Sequence, residues 1–408
     1  MKQHSGRALW RLPDGMDEML PDQALALEGL RRAVYDMHLT RGYQPVEPPV
    51  VEFLDSLLSG TGRDFERQTF KVADPLSGMM MGVRADMTPQ VARIDAHQMH
   101  ATEVSKLFYL GTVVRAHTDG IEKNRAPLQI GAEIFGHAGP QSDVEVIRLM
   151  LSVLLCAGID EVHLDLGHAG IFRSLCAAIG LSNHDQSELF SLLQKKAVPD
   201  INAFSAGLGL SEDIRTCLTR LCGLNGDSSI LATAVTELGP LAENNPAMIE
   251  ALDELQEISN VLQPVQQGVN LHVDLAEVRG YQYHTGVVFA AYTPGSGSDI
   301  ARGGRYDGIG ESFGRARPAT GYSTDLKLLM RLTGYDRMAE KFTIAPGPSS
   351  GQQRAILCPD DNSSELAVLV EQLRSEGEVV IVDLAGLNQS LCDRVIRRKD
   401  DTWLVEKL

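Results

Sequence analysis

Residues 128–135 (LQIGAEIF) place two polar side chains on one face of an otherwise apolar segment. The alternation predicts a strand, with Gln129 and Glu133 on the same face and about 13 Å apart. Gly131 stands between them on that face, where a missing side chain would let a ligand approach the sheet closely. A solvated sheet face with a salt bridge explains the pattern equally well.

Three more polar residues stand where a small zwitterion could be bound. Arg115 lies near the end of the apolar segment 107–116. Asp86 and Thr88 precede Pro89, a residue that suits the first position of a helix, and an acidic side chain at a helix start could bind an α-ammonium group. Capping of the helix is the simpler explanation of Thr88 taken alone.

Arg279 and Tyr283 lie in the segment EVRGYQYHTG. An arginine between a strand and a glycine can clamp a carboxylate through two parallel hydrogen bonds. Taken singly, Arg279 is better explained as a surface or interface arginine.

Several familiar kinds of site lack their residues in this sequence. It has no Gly-x-x-x-x-Gly-Lys-Ser/Thr loop, no Gly-x-Gly-x-x-Gly turn and no His-Glu-x-x-His helix. Its six cysteines form no C-x-x-C pair, and His97 and His100 share a helix face without an obvious third ligand. We therefore expect no metal ion and no resident cofactor.

Composition and charge argue against a large nucleic-acid surface. The chain has 408 residues with 37 Lys and Arg against 54 Asp and Glu, a net charge of −17, whereas nucleic-acid binding needs basic surfaces. The opening residues lack an apolar stretch long enough for a signal peptide, and no window approaches the length of a membrane span. We expect a cytoplasmic protein with reduced thiols.

The elements that must position these residues follow from periodicity and from turn residues. In chain order they are a helix at 22–41, an extended segment at Pro48–Pro49, a helix from Thr88–Pro89, a hairpin of strands 107–116 and 128–135, a helix at 141–158, a strand at 163–167, helices through 170–262, strands at 271–275 and 285–292, and a strand–helix unit at 321–332. A glycine- and serine-rich break at 347–351 precedes a short α/β unit that holds AILCP, a helix near 364–375, EVVIVDL and WLV.

Together these segments resemble the class II aminoacyl-tRNA synthetases, specifically the histidine branch, from about Arg11 to about Leu332. The first helix followed by VEPPVVE, with Pro49, resembles motif 1, the dimerisation element. YLGTVVR through QIGAEIFG resembles the motif 2 hairpin, and VRGYQYHTGVVF and GGRYDGIG resemble two segments peculiar to that branch. GYSTDLKLLMRL lies where motif 3 belongs.

The resemblance implies an α+β fold in which helices flank an antiparallel sheet. We expect three parts along the chain. Residues 1–168 and 269–335 form the synthetase-like core, residues 169–268 form a helical insertion, and residues 352–408 form a short C-terminal α/β domain. That last domain is much shorter than the anticodon-binding domain of the family.

The resemblance also implies a largely intact histidine pocket. Asp86 matches the acid that holds the amino group, where the family usually has glutamate, and Arg279 matches the arginine placed over the carboxylate. His284 stands where the family usually has a tyrosine. The positions that match the pocket are Asp86, Thr88, Arg115, Gln129, Glu133, Arg279 and Tyr283.

The ATP half of the pattern is damaged. Positions for a motif 2 glutamate, a loop arginine and an aromatic residue hold His117, Lys123 and Pro127. In motif 3 the family reads Gly-x-x-x-Gly-Leu-Glu-Arg, but here Asp325 replaces a glycine and Leu328 replaces the phosphate-binding arginine. Losing one buried phosphate contact costs on the order of 2–5 kcal/mol, or more than tenfold in affinity. We expect no catalytic residue and no aminoacylation.

A histidine pocket beside a lost activation site resembles the regulatory-subunit family of ATP phosphoribosyltransferase, the first enzyme of histidine biosynthesis. The resemblance implies a short-form catalytic subunit as partner, histidine as ligand, and a homodimer through the motif 1 region within a hetero-oligomer, with no tRNA. Two alternatives stay open. An active histidyl-tRNA synthetase would need ATP, magnesium and tRNA, and Leu328 argues against it. Asp86 and His284 leave room for a synthetase-like protein that binds another amino acid or amine.

Overall fold

A computed structural model describes residues 11–118, 124–243, 245–262, 268–277, 280, 283–342, 355–361, 363–383, 392–400 and 402–408. The chain forms two compact units. The first comprises Met1–Asp17 and Val34–Leu332, and the second comprises Glu18–Ala33 and Thr333–Leu408. The division of the first unit into a core and an inserted helical domain stays a prediction.

Most strands of the first unit belong to one large sheet. The strands are β1 (Gln44–Pro45), β2 (Val51–Phe53), β3 (Phe70–Ala73), β4 (Met80–Val83), β5 (Ser105–Thr112), β6 (Leu128–Phe135), β7 (Val162–His168), β8 (Asn225–Gly226), β9 (Val269–Asp274), β10 (Val287–Tyr292), β11 (Ala301–Arg305) and β12 (Ala319–Asp325). Within the described part of the chain, the large sheet has the order β1-β5-β6-β12-β11-β10-β7-β9-β8, and β2, β4 and β3 form a separate small sheet. The large sheet is antiparallel except where β1 pairs with β5 and β7 pairs with β9.

The helices of this part of the chain include those of the long connection between β7 and β9, and the first helix runs from the second unit into the first. They are α1 (Pro21–Leu39), α2 (Leu54–Leu58), α3 (Arg63–Gln68), α4 (Thr88–Arg93), a π-helix (Ile94–Met99), α5 (Pro140–Cys156), α6 (Ala169–Ala178), α7 (Asn183–Gln194), α8 (Val198–Gly207), α9 (Glu212–Leu221), α10 (Ile230–Leu238), α11 (Pro240–Glu243), α12 (Pro246–Leu262), a 3-10 helix (Ile309–Phe313) and α13 (Leu326–Thr333). Among the residues that the structure describes, no helix is long and apolar enough to cross a membrane.

The predicted hairpin of β5 and β6 is confirmed and lies inside the sheet. Its strands pair antiparallel, from Ser105 against Phe135 to Thr112 against Leu128. Both faces of β6 are covered, so that Gln129 is 3% and Glu133 1% exposed. The alternative of a solvated sheet face is therefore wrong, and the two polar side chains need partners inside the protein.

The segment at Pro48–Pro49 forms neither a helix nor a strand, since proline can continue neither a helix nor a central strand. Pro48 and Pro49 stand between β1 and β2. The small sheet that β2 enters was not predicted from the sequence. One further difference concerns β8, a two-residue strand that pairs with β9 inside the region predicted to be helical.

The second unit contains the short C-terminal α/β unit. Its further elements are α14 (Tyr335–Lys341), β13 (Ala355–Cys358), α15 (Ser364–Ser375), β14 (Val380–Val382), β15 (Cys392–Lys399) and β16 (Thr402–Lys407). The strands form a sheet in the order β14-β13-β15-β16. Leu366 and Val370 of α15 pack with Ile356, Val380 and Ile396 in a buried cluster. The sequence predicted the other elements from β13 onward but missed β15.

Candidate functional site

A row of glycines crosses the large sheet beside Glu133. Gly321 on β12 pairs with Glu133 on β6, and Gly304 on β11 pairs with Gly321. A β-carbon at Gly321 would overlap the Glu133 carboxylate, and one at Gly304 would lie 2.7 Å from Nδ1 of His284. The two glycines therefore make room for two polar side chains above the sheet.

Gly131 makes room for a side chain and not for a ligand, which corrects the prediction of direct ligand approach at that glycine. Tyr109 on β5 pairs with Gly131, and a β-carbon at Gly131 would overlap the Tyr109 hydroxyl. The Tyr109 ring can therefore lie over Gly131 and place its hydroxyl next to Glu133.

Glu133 is held between two tyrosine hydroxyls. The Tyr109 hydroxyl donates to Oε1 at 3.0 Å, and the Tyr306 hydroxyl donates to Oε2. Burial raises the pKa of Glu133 to about 8, although the hydrogen bonds from Tyr306 and Tyr109 oppose the shift. Around neutral pH the carboxyl group is therefore mostly protonated and can donate a hydrogen bond to a ligand.

Asp86 is oriented by the second polar residue of β6. The Gln129 amide nitrogen donates to Oδ1 of Asp86 at 3.0 Å, and its amide oxygen accepts from the backbone N–H of Met87 at 3.0 Å. The backbone N–H of Thr88 donates to the same oxygen of Asp86 at 2.8 Å. Asp86, the residue before the N-cap Met87, therefore satisfies the first N–H of α4, and Thr88 is the first helical residue and not the predicted cap.

The Thr88 hydroxyl joins the network around Glu133 instead of capping the helix. Its Oγ1 lies 2.8 Å from the hydroxyl of Tyr109, and Tyr109 in turn donates to Glu133. The start of α4 and the middle of β6 are thus linked through one buried tyrosine.

Aromatic rings form one side of the site. The rings of Tyr283 and Tyr306 are stacked with centroids 5.1 Å apart, and the Tyr283 ring lies edge-on to the His284 ring at 5.3 Å. Burial lowers the pKa of His284 to about 4, so this imidazole is neutral near pH 7. Within the described residues, the buried Tyr283 hydroxyl has no hydrogen-bond partner, whereas a hydrogen bond with the Arg305 backbone partly opposes the lowering of the His284 pKa.

These groups line one cavity of about 1030 Å³, which is at the upper end of the usual range for small-molecule sites. Four residues predicted from the sequence lie on its wall: Asp86, Thr88, Glu133 and Tyr283. Ser187 of α7 and the segment 60–62 complete the wall from outside the sheet.

Two further predicted residues, Gln129 and Arg115, are not among the residues that line this cavity. Gln129 acts on Asp86, as described above. The Arg115 Nε–H donates to the carbonyl of Ala85 at 3.4 Å, and its backbone pairs with Arg125. Arg279 lies outside the described residues, so its predicted position over a carboxylate stays a prediction.

Two residues that contact Glu133 were not predicted from the sequence. Tyr109 and Tyr306 both contact Glu133, but they come from β5 and from the residue after β11. Tyr109 lies on the strand that was predicted to pair with β6, but the residues it reaches depend on the register of that pairing. Tyr306 stands in GGRYDGIG, a segment noted for its resemblance although this side chain was not singled out.

Asp325, which stands at the position of a lost ATP contact, is held by internal hydrogen bonds. The Asp325 carboxylate accepts from the backbone N–H groups of Leu128 at 2.9 Å and Lys327 at 3.0 Å, and from the Asn124 amide at 2.8 Å. Leu328 is 9% exposed. The carboxylate that replaces the family's glycine therefore holds the end of the hairpin against the motif 3 segment.

Comparison with protein families gives two matches that together span most of the chain. Residues 15–329 match the Histidyl-tRNA synthetase family. Residues 353–406 match the family described as ATP phosphoribosyltransferase subunit HisZ C-terminal domain.

Individual relatives agree with these matches. The ATP phosphoribosyltransferase regulatory subunit of Thioalkalivibrio sulfidiphilus (strain HL-EbGR7) is 48% identical over 404 residues, which cover 98% of each chain. The crystal structure of an ATP phosphoribosyltransferase regulatory subunit/histidyl-tRNA synthetase from Bacillus halodurans C has a TM-score of 0.76 and 26% identity, with 92% of this chain and 93% of that chain covered.

A third likeness concerns the fold alone. Histidyl-tRNA synthetase from Nostoc sp. PCC 7120 has a TM-score of 0.72 at 17% identity, with 98% of this chain and 95% of that chain covered. The predicted fold class, a class II synthetase-like sheet flanked by helices with a short C-terminal α/β sheet, is confirmed.

Proposed function

The chain belongs to the family of ATP phosphoribosyltransferase regulatory subunits, and from that premise we propose that its acidic cavity binds histidine and passes the binding signal to a separate catalytic subunit. As a member of that family it is a non-catalytic subunit that serves histidine biosynthesis. The proposal concerns where histidine binds and how the subunits assemble.

The observation that carries the proposal is the buried hydroxyl of Tyr283, which shares the cavity wall with Glu133. This hydroxyl lacks a partner within the described residues, and a buried polar atom without a partner is costly. A neutral imidazole ring offers one N–H donor and one acceptor nitrogen. A protonated Glu133 can donate to such an acceptor, and the Asp86 carboxylate, on the same cavity wall, can hold the ligand's ammonium group.

The cavity suits a ligand with a positive charge better than a nucleotide. Its described lining carries the carboxyl groups of Asp86, Glu133, Glu277 and Asp299. A polyphosphate would be repelled by ionised carboxylates, and Leu328 stands where a phosphate-binding arginine would be needed. These features support histidine as ligand and agree with a chain that does not activate amino acids.

We extend the proposal to the subunit contacts that the resemblance implies. Val51, Phe53 and Val72 are 39%, 46% and 47% exposed, and the strand pairing places them on one face of the small sheet, together with Met81 and Val83. An apolar sheet face of this kind is unusual on a monomer. Since this sheet follows the motif 1 segment, a second copy of the chain is the proposed occupant, with the short-form catalytic subunit bound elsewhere.

Histidine binding can be tested directly by isothermal titration of the purified chain. We expect binding, with affinity lowered in Glu133→Ala and Arg279→Ala and unchanged in Glu371→Ala, whose side chain is 73% exposed. If both of these variants bind like the parent, the location of the pocket is wrong. Histidine-dependent exchange between ATP and pyrophosphate should stay at background, and added chain should activate a short-form catalytic subunit.

A different amino acid or amine is the second candidate ligand. His284 and Asp86 stand where the related synthetases usually carry tyrosine and glutamate, and both line the cavity. A thermal-shift screen of amino acids decides between them, since a ligand that binds only the folded chain raises its melting temperature. Greater stabilisation by another amino acid than by histidine would favour this second candidate.

A further inference from the structure

Arg302 stands on the cavity side of β11 within a row of small residues. In register across the sheet, Gly131 faces Ser323, Ser323 faces Arg302, and Arg302 faces Ala290. Side chains alternate along a strand, so Arg302 projects from the same face as Gly304 of the glycine row. Its small neighbours leave open space around a long side chain that lines the cavity.

The charge of Arg302 is unusual for its surroundings. Among the described residues that line the cavity, it carries the one permanent positive charge, beside four carboxyl groups. Its Nε lies 4.0 Å from Oδ2 of Asp299, the outer limit of an ion pair, and the arginine side chain is 64% exposed. The guanidinium therefore keeps hydrogen-bond donors that can face a ligand.

Arg302 also lies close enough to His284, on the aromatic side of the cavity, to affect the pKa of that residue electrostatically. The pKa of His284 is lowered chiefly by burial, and the nearby positive charge of Arg302 adds to the effect. The strand that carries Arg302 is two strand spacings, or roughly 10 Å, from β6. Asp86, which Gln129 of β6 orients, and Arg302 therefore approach the cavity from opposite sides of β12.

We infer that Arg302 is a carboxylate-recognition residue of this cavity, which binds the α-carboxylate of an amino-acid ligand while Asp86 binds its ammonium group. The inference rests on the proposed function, because it assigns one part of the proposed histidine site. A guanidinium matches a carboxylate through parallel charge-assisted hydrogen bonds. It adds a cation to the one that the resemblance places at Arg279.

The test compares histidine with histidinol, in which an alcohol replaces the carboxylate, by isothermal titration. Arg302→Ala should lower histidine affinity roughly tenfold, the effect of one charge-assisted hydrogen-bonded contact, and leave histidinol affinity unchanged. Arg32→Ala is the matched control, since Arg32 is 63% exposed, pairs with Glu28 and is not among the cavity-lining residues. It should change neither affinity.

Asp299→Asn is a second variant, for which we expect a change in the ratio of histidine affinity to histidinol affinity opposite to that of Arg302→Ala. Removing the carboxylate that competes for Arg302 should raise this ratio severalfold, because both ligands lose the attraction of their ammonium group to Asp299 and only histidine has a carboxylate that gains a freer guanidinium. Equal losses for both ligands in Arg302→Ala, or no loss for histidine, would overturn the role of Arg302 while the proposed function stands. If the unmodified chain binds neither ligand, the proposed function fails and this inference fails with it.

Discussion

The Glu133 carboxylate occupies the space above Gly321, its partner on the neighbouring strand, where any other residue would place a β-carbon. The position of a buried acid thus depends on the absence of a side chain on the adjacent strand. The same arrangement recurs at Gly304, above which the His284 ring lies. Polar groups of the site therefore rest on glycines that the chain supplies from β11 and β12.

Gly321→Ala should displace Glu133 and weaken histidine binding by roughly tenfold or more. The added methyl group overlaps the carboxylate, and overpacking of a buried site costs about 1–3 kcal/mol. Isothermal titration and chemical denaturation measure the two effects. Gly207→Ala is the control, because Gly207 ends α8 and has open space around it. Unchanged binding in Gly321→Ala would show that the position of Glu133 is not important.

Stability should fall as the pH rises from about 4.5 to about 8. The pKa of Glu133 is raised from 4.5 to about 8 by burial, so over this window the unfolded chain releases a proton that the folded chain keeps. The stabilising contribution is complete below pH 4.5 and is lost as the pH passes 8. Glu133→Gln should remove this part of the pH dependence, as measured by urea denaturation across the range. Identical pH profiles would contradict the assignment.

Tyr306→Phe should raise the pKa of Glu133 further. The Tyr306 hydroxyl donates to Oε2 and stabilises the charged carboxylate, so its removal favours the protonated form. The pH at which the stability of the chain levels off should therefore move upward. Loss of this buried hydrogen bond should also lower stability by about 1–3 kcal/mol. A downward move of that pH would contradict the described hydrogen bond.

Local patterns in the sequence predicted the parts of this structure that depend on local order. The alternation in β6 and the helix start at Thr88 and Pro89 were found because strand and helix signals lie within a few residues. The partners of Glu133 were not found, since Tyr109 and Tyr306 reach it only through strand pairing across the sheet. β15 was not predicted because charged residues occupy much of this eight-residue strand. A segment of that composition is more typical of a surface loop.

Phe53→Asp together with Val72→Asp should dissociate the proposed homodimer. Both side chains lie on the exposed apolar face of the small sheet, and two buried carboxylates at an interface would be strongly unfavourable. Sedimentation velocity should show a monomer for the double variant and a dimer for the parent chain. Val368→Asp, at a position in α15 that is 69% exposed, should leave the dimer intact. A dimer in both variants would place the contact on another surface.

Asp325→Ala should destabilise the chain and leave histidine affinity unchanged. The carboxylate accepts hydrogen bonds from Leu128, Lys327 and Asn124, and orphaned donors cost about 1–3 kcal/mol, although Asp325 is not among the residues that line the cavity. Urea denaturation measures the first effect and titration with histidine the second. Titration with ATP tests the alternative that the Asp325 carboxylate only excludes nucleotides. In that case Asp325→Ala would leave the stability unchanged and would let ATP bind. Lower stability without a gain in ATP affinity means that Asp325 holds the hairpin against the motif 3 segment, and that the missing arginine at Leu328 is enough to prevent nucleotide binding.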